Sequence, residues 1–181
     1  GRPPLYRNYI STMLPLTTYI LHPRLVLLGV LGRCAKYSKS DERYLKLRFR
    51  LEMRKRLNLK NPKTFNEKLQ WLKLYNRKPE YTTMVDKYAV KQYVADKIGD
   101  EYIIPTLGVW DKPEDIDYDS LPDKFVLKTT HWGGGSGVVI CRDKAIFNKA
   151  EACRKLNQSL KSDIYISMRE WPYKDVPKRI I

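Results

Sequence analysis

Apolar residues follow two kinds of pattern along this chain. Through residues 40–98 and 148–162 they recur every three or four positions, the period of a helix with one buried face. In two short runs, Phe125-Val126-Leu127-Lys128 and Gly137-Val138-Val139-Ile140-Cys141, they crowd together with β-branched side chains, as strands do. The first 34 residues are apolar but broken. His22-Pro23-Arg24 interrupts the run, leaving fewer than the ~20 apolar residues a membrane-spanning helix needs. No small-residue cleavage pattern follows, so no signal peptide is expected. A short helix over 23–34 is predicted, either packed on the domain or lying at a membrane interface.

Helix signals punctuate the next stretch. Ser40 is a plausible N-cap for a helix over 40–57, with Asp41 and Glu42 in its first turn and Arg54, Lys55 and Arg56 in its last. Tyr44, Leu47 and Leu51 form one apolar stripe, and Leu45, Phe49 and Met53 a second. Thr64 with Glu67 makes a capping box for a helix to Tyr75, burying Phe65, Leu69, Leu72 and Trp71 or Leu74. Another helix is predicted from Thr82 or Thr83 to Ile98, ended by Gly99. Residues 102–110 read as a strand or extended segment. Residues 111–123 read as an acidic loop with one helical turn at 113–116. The two strand-like runs, joined by a Gly-rich connection, read as an antiparallel hairpin. A helix over 148–162 then carries Ala150, Cys153, Leu156 and Leu160 on one face. Residues 164–173 look irregular, and 179–181 look like the start of a strand.

Charge changes this picture. Of 181 residues, 35 are Lys or Arg and 20 are Asp or Glu, a formal net charge of +15. Residues 1–80 hold nineteen basic and five acidic residues, whereas 81–181 hold sixteen and fifteen. The basicity therefore belongs to the front of the chain. Such a segment suits nucleic acid, anionic lipid or a phosphorylated substrate. The tyrosines lie at helix-like spacings among apolar residues rather than interleaved with Arg for base stacking, so no nucleic acid partner is expected. Cys34, Cys141 and Cys153 are odd in number and far apart. They make neither a disulfide framework nor a zinc site, and indicate a reducing compartment.

The candidate chemistry sits in the hairpin connection, Thr129-Thr130-His131-Trp132-Gly133-Gly134-Gly135-Ser136. Three consecutive glycines are costly in an ordinary turn. They make sense where bare backbone N–H groups close on an anion such as a phosphate. Lys128, at the strand end, adds a point charge for the same ligand. The spacing fits neither a P-loop nor a dinucleotide fingerprint, because no Gly-Lys-Ser/Thr follows the glycines and a strand, not a helix, comes next. A plain hairpin tip beside a surface lysine is the alternative.

NPKTFNEKLQWLKLYNR at 61–77, VDKYAVKQYVADKIGDEYIIPTLGVWD at 85–111, FVLKTTHWGGGSGVVICRDK at 125–144 and REWPYKDVPKRII at 169–181 resemble the TupA-like branch of the ATP-grasp superfamily. The likeness covers roughly residues 20–181. It implies an α+β fold: a basic helical N-terminal region (1–60), then an ATP-grasp-like subdomain (61–181) with an antiparallel hairpin. The C-terminal half of the ATP-grasp fold, with its Mg²⁺ ligands, is expected beyond Ile181, so the chain reads as an N-terminal portion that is inactive alone. The resemblance implies an ATP-dependent carboxylate–amine ligase of bacterial cell-surface polysaccharide biosynthesis, such as teichuronopeptide or capsule. Enzymes of this kind phosphorylate a carboxylate, and an amine then attacks the acyl phosphate. Two lysines contact the nucleotide phosphates, and by position Lys87 and Lys128 resemble them. Gly133, Gly134, Gly135, Ser136 and Gly137 resemble the loop that closes over the phosphates. His131, Arg169 and Glu170 are candidates for loop support or substrate contact. ATP and Mg²⁺ are the implied cofactors, a polysaccharide precursor the implied partner, and the cytoplasm, with peripheral contact at the inner membrane face through residues 1–60, the implied location. Two alternatives stay open. A glycosyltransferase of the same pathway would need a metal-holding acidic pair, for which Asp115-Ile116-Asp117 is the near match. A non-catalytic basic module would bind lipid or polyanion through residues 1–60.

Overall fold

The computed structural model describes residues 23–132 and 137–181. The apolar run before Pro23, and Gly133, Gly134, Gly135 and Ser136, lie outside the described residues. The architecture is α+β: among the described residues, seven α-helices accompany a two-stranded antiparallel hairpin. None of these helices is long and apolar enough to cross a membrane. The chain divides into two compact units, Gly1–Tyr75 and Asn76–Ile181.

In the first unit, α1 (Pro23–Arg33) packs on α2 (Asp41–Met53), and α2 on α3 (Phe65–Tyr75). Ser40 caps α2 as its sequence predicts, its hydroxyl accepting from the Arg43 N–H. The helix stops earlier than expected, at Arg54, which adopts the left-handed conformation (φ 58°). Leu57 and Leu59 explain the early stop. Both are buried two residues apart, an extended spacing that a continued helix would split between opposite faces. Tyr44 of the first predicted stripe and Leu45 and Phe49 of the second are buried, whereas Leu47 of the first (49%) and Met53 of the second (40%) are exposed. The Thr64–Glu67 capping box forms in both directions. The Glu67 carboxylate accepts from the Thr64 N–H (2.9 Å), and the Glu67 N–H donates to the Thr64 hydroxyl (3.3 Å). The Thr64 N–H first, and the Lys63 N–H (3.0 Å) second, hold the Glu67 carboxyl below its ordinary range. The buried face predicted for α3 is not found: no side chain of this helix is fully buried, and Phe65 is 74% exposed.

The second unit opens with α4 (Glu80–Val85) and α5 (Ala89–Ile98) where the periodicity predicts one helix. Asp86 makes the break. Its backbone is extended (φ −70°, ψ 115°), and its carboxylate accepts from the Tyr88 N–H (2.8 Å), starting the second helix. Gly99 ends α5 with φ 108°, a conformation that favours glycine. Residues 103–109 are mostly exposed and irregular, and Pro113–Asp115 forms the predicted turn.

Strands β1 (Phe125–Lys128) and β2 (Val138–Cys141) pair antiparallel, with Phe125 opposite Cys141 and Lys128 opposite Val138. Their alternation puts Phe125, Leu127, Val139 and Cys141 inward and Val126, Lys128 and Ile140 outward. Helix α6 (Lys149–Leu160) covers the inward face with Ala152 and Leu156. Ala150, predicted on the buried face, is exposed, because the stripe runs through 152, 156 and 159. Residues 164–173 are more regular than expected: α7 (Ile164–Met168) is followed by a tight turn at Trp171–Tyr173. The predicted strand start at the chain's last residues does pair. Ile180 lies antiparallel between Trp110 and Thr129, exchanging both backbone hydrogen bonds with Trp110 (2.9 and 2.8 Å). Ile180 thereby joins Ile116, Leu121, Leu127 and Leu156 in one core.

Candidate functional site

The loop end of the hairpin is built from buried polar residues. Thr129 continues β1 with no exposed surface, and its N–H donates to the Gly137 carbonyl (3.1 Å) across the connection. Its hydroxyl meets that of Ser159 on α6 at 2.7 Å. Gly137 fits against this pair because it has no side chain. A Cβ there would lie 2.6 Å from both hydroxyl oxygens and 3.1 Å from the Trp132 ring. Thr130 is buried too. Its hydroxyl accepts from the Arg179 N–H (3.0 Å), and its N–H donates to the Arg179 carbonyl (2.8 Å).

Lys87 reaches this stem from the break between α4 and α5. Its ammonium donates to the carbonyls of Thr129 (2.9 Å), Thr130 (3.3 Å) and Trp132 (2.6 Å). An ammonium has three donors, so these carbonyls occupy all of them. Burial pushes the Lys87 pKa down, repulsion from Lys128 pushes it the same way, and Asp86 opposes both. Lys128 is exposed at the end of β1, and among the described residues its ammonium makes no hydrogen bond or ion pair. His131 is buried (2% exposed). Its Nε2 faces the Ser162 carbonyl at 3.2 Å, so the neutral ring donates there. Burial first, and Lys178 second, hold its pKa below the ordinary histidine value. The structure thus brings Lys87, Lys128, His131 and Gly137 together at the stem of the connection. Gly133, Gly134, Gly135 and Ser136 fall outside the described residues.

Arg169 and Glu170 are placed at the end of α7. Arg169 takes the left-handed conformation that closes the helix (φ 55°). Its buried guanidinium donates to the Ile166 carbonyl (2.9 Å) and lies over the Tyr165 ring. Glu170 precedes the Trp171–Tyr173 turn, its carbonyl accepting from the Tyr173 N–H. Of the acidic pair Asp115 and Asp117, the latter accepts from the Asp119 N–H (3.1 Å), and the intervening Ile116 is core.

Two features escaped the sequence. Asp86, 3% exposed, pairs with Arg179 at 3.5 Å, and Arg179 stacks over the Tyr88 ring. Nothing in the sequence joins positions 93 residues apart. Lys91 is the second. Its ammonium donates to the Ile104 carbonyl (2.7 Å) and the Thr106 hydroxyl (2.8 Å), and burial and Lys128 lower its pKa. Its position four residues after Lys87, in a stretch of helical periodicity, is the signal that could have found it.

Helices around an antiparallel hairpin, with a glycine-rich connection and lysines gathered at its stem, define an α+β protein with a candidate anion site. The family model described as TupA-like ATPgrasp matches residues 67–181, and the chain belongs to that family. Neither the curated proteins nor the solved structures contain a match to it. ATP-grasp proteins as a family bind ATP and Mg²⁺. Among the described residues no group of three or more His, Cys, Asp or Glu side chains could hold a metal ion.

Proposed function

We propose that the lysines and the glycine-rich connection bind the phosphates of ATP, in an ATP-dependent carboxylate–amine ligase of bacterial cell-surface polysaccharide biosynthesis. Family membership supports the ligase reading, and one observation carries the nucleotide part of it. Lys128 presents an ammonium without a protein partner among the described residues, beside a connection whose closing residue, Gly137, admits no side chain. Cationic donors and backbone N–H groups offset the charge on a transferring phosphoryl group. ATP would supply the phosphoryl group that activates the carboxylate. Lys128 would contact its phosphates, and Lys87 would hold the stem. Thermal melting with and without MgATP tests this reading, because a ligand that binds the native state raises the midpoint. A rise lost in Lys128→Ala supports it. No rise in the wild-type chain overturns it.

A second reading concerns the front of the chain. Residues 23–75 carry fifteen Lys or Arg and four Asp or Glu, and α3 exposes Phe65, Trp71, Leu72 and Tyr75. A cationic surface with exposed aromatic residues suits the inner face of an anionic membrane. Co-sedimentation with vesicles containing anionic lipid, lost in high salt or without that lipid, tests it. Equal binding to neutral vesicles overturns it.

A further inference from the structure

The hairpin has one covered edge and one open one. On β1, the Lys128 N–H donates to the Ile181 carbonyl and the Lys128 carbonyl accepts from the Ile181 N–H, both at 2.8 Å. Lys128 therefore has no backbone group left for Val138, its neighbour on β2, and Val138 turns its own N–H and C=O away from β1. The alternation of an antiparallel ladder gives Ile140, two residues on, the same direction. The Thr129 N–H, which donates to the Gly137 carbonyl, sets the same phase. Among the described residues no strand pairs with this outer edge of β2. Beside it runs an open groove lined by Ile140, Arg142, Ile146, Glu151 and Lys155. Ile140 and Ile146 are 58% and 83% exposed. Glu151 and Lys155 stand one turn apart on α6, and among the described residues neither side chain makes a hydrogen bond or ion pair.

A strand edge with free backbone groups is a template for another strand. We propose that a second copy of this chain adds there, β2 against β2, antiparallel about a two-fold axis through Val139. With Val138 of each copy opposite Ile140 of the other, all four outward backbone groups of each β2 are satisfied. The exposed Ile140 side chain then lies against Val138 of the other copy. Spacing and charge select this occupant. A two-fold axis normal to the sheet keeps both α6 helices on one face and sets them antiparallel. Each lies over its own hairpin, and the midlines of the two hairpins are two strand spacings apart, about 10 Å. That is the separation of packed helices. Glu151 of each copy then faces Lys155 of the other. The charges along the groove are thus complementary to themselves, as a wholly acidic or wholly basic partner would not be to them. This inference stands apart from the nucleotide reading.

Sedimentation velocity of the full chain over a series of concentrations tests the proposal. Wild type should pass from monomer to dimer as concentration rises. Ile140→Pro removes an N–H that faces away from β1, so the hairpin keeps its own bonds. Two hydrogen bonds lost per dimer predict about thirtyfold weaker association. Glu151→Lys sets like charges against each other and should weaken association about tenfold at low salt. Adding Lys155→Glu to it should recover most of that loss. Wild type that stays monomeric at every concentration overturns the proposal. So does dimerisation of Ile140→Pro equal to wild type, or a double variant as weak as Glu151→Lys alone. If Ile140→Pro does not fold, hydrogen exchange of the wild-type chain decides. Protection of the Val138 and Ile140 amides must rise with protein concentration, and protection independent of concentration overturns the proposal.

Discussion

Helices α3 and α6 are nearly the same length, 11 and 12 residues, and both carry an apolar stripe among charged positions. Helix α6 buries Ala152, Leu156 and Ser159 completely, whereas α3 buries no side chain. The surroundings match the contrast. In residues 76–181, which hold eighteen basic and sixteen acidic residues, α6 closes over the hairpin, and Thr129 and Ser159 bond inside the packed face. In residues 23–75, with fifteen basic and four acidic, α3 holds its shape through its own capping box and leaves its stripe on the surface. The excess of basic residues and the candidate anion site thus lie in different units. The candidate phosphate lysines sit in the charge-balanced unit, because a core there fixes the backbone they reach for.

The largest expected effect tests that contrast directly. Leu156 has no exposed surface, so Leu156→Ala should lower the unfolding free energy by about 4 kcal/mol, as deletions of this kind do in packed cores. Phe65→Ala removes a larger side chain, yet should change stability by about 0.5 kcal/mol or less, as expected of a mostly exposed position. Urea midpoints measure both. Equal effects would mean that α3 is buried in solution, and the contrast would fail.

Gly137→Val comes next. The added side chain meets two hydroxyl oxygens at 2.6 Å from its Cβ alone, both held by core elements. Overpacking of this kind should cost about 2–3 kcal/mol. It should also separate the strand ends that the Thr129–Gly137 hydrogen bond joins, so protection of the Thr129 amide from hydrogen exchange should fall. Unchanged protection would show that the stem does not depend on the missing side chain.

Local signals made most of the elements legible. Ser40, Thr64 with Glu67, and Gly99 each act on their own helix end, and each does so in the structure. The hairpin followed from two β-branched runs. The failures share a cause, which is that burial is decided by what arrives from elsewhere in the chain. The stripe of α3 promised a partner that the described residues do not supply. The break at Asp86 depends on its own carboxylate and on Arg179, and periodicity alone runs straight through it. The candidate site was legible as a glycine-rich stretch and two lysines. The three-carbonyl seat of Lys87 was not, because acceptors 42 to 45 residues away leave no trace in spacing.

A smaller offset is expected from Thr64→Ala, which removes the side-chain half of the capping box. Loss of a cap costs about 1 kcal/mol. Because α3 has so little burial to lean on, the loss should appear as fraying of its first turn, visible as faster exchange of the Glu67 and Lys68 amides. The matching cap on α6, where Asn148 accepts from the Glu151 N–H at 2.9 Å, gives the control. Asn148→Ala should lower stability similarly but leave the helix ordered, because Leu156 pins it. Fraying of both helices alike would mean that packing does not separate them.

The last effect is a slope rather than an offset. His131 has a pKa below its ordinary value of 6.5, so the unfolded chain binds a proton at this residue more readily than the folded one. Stability at this group therefore rises with pH and is lost as pH falls from 6.5 towards the folded value. Glu67 and Glu114, whose pKa values are also lowered, lose stability the same way, but only as pH falls below about 4.5, their ordinary value. The window between pH 6.5 and 5 thus isolates the histidine. Melting temperature should fall across it in the wild type and fall less in His131→Asn, which cannot take up the proton. Exposed histidines titrate equally folded and unfolded and give no such slope, so parallel curves for the two proteins would place His131 in water and undo the buried stem on which the lysine site rests.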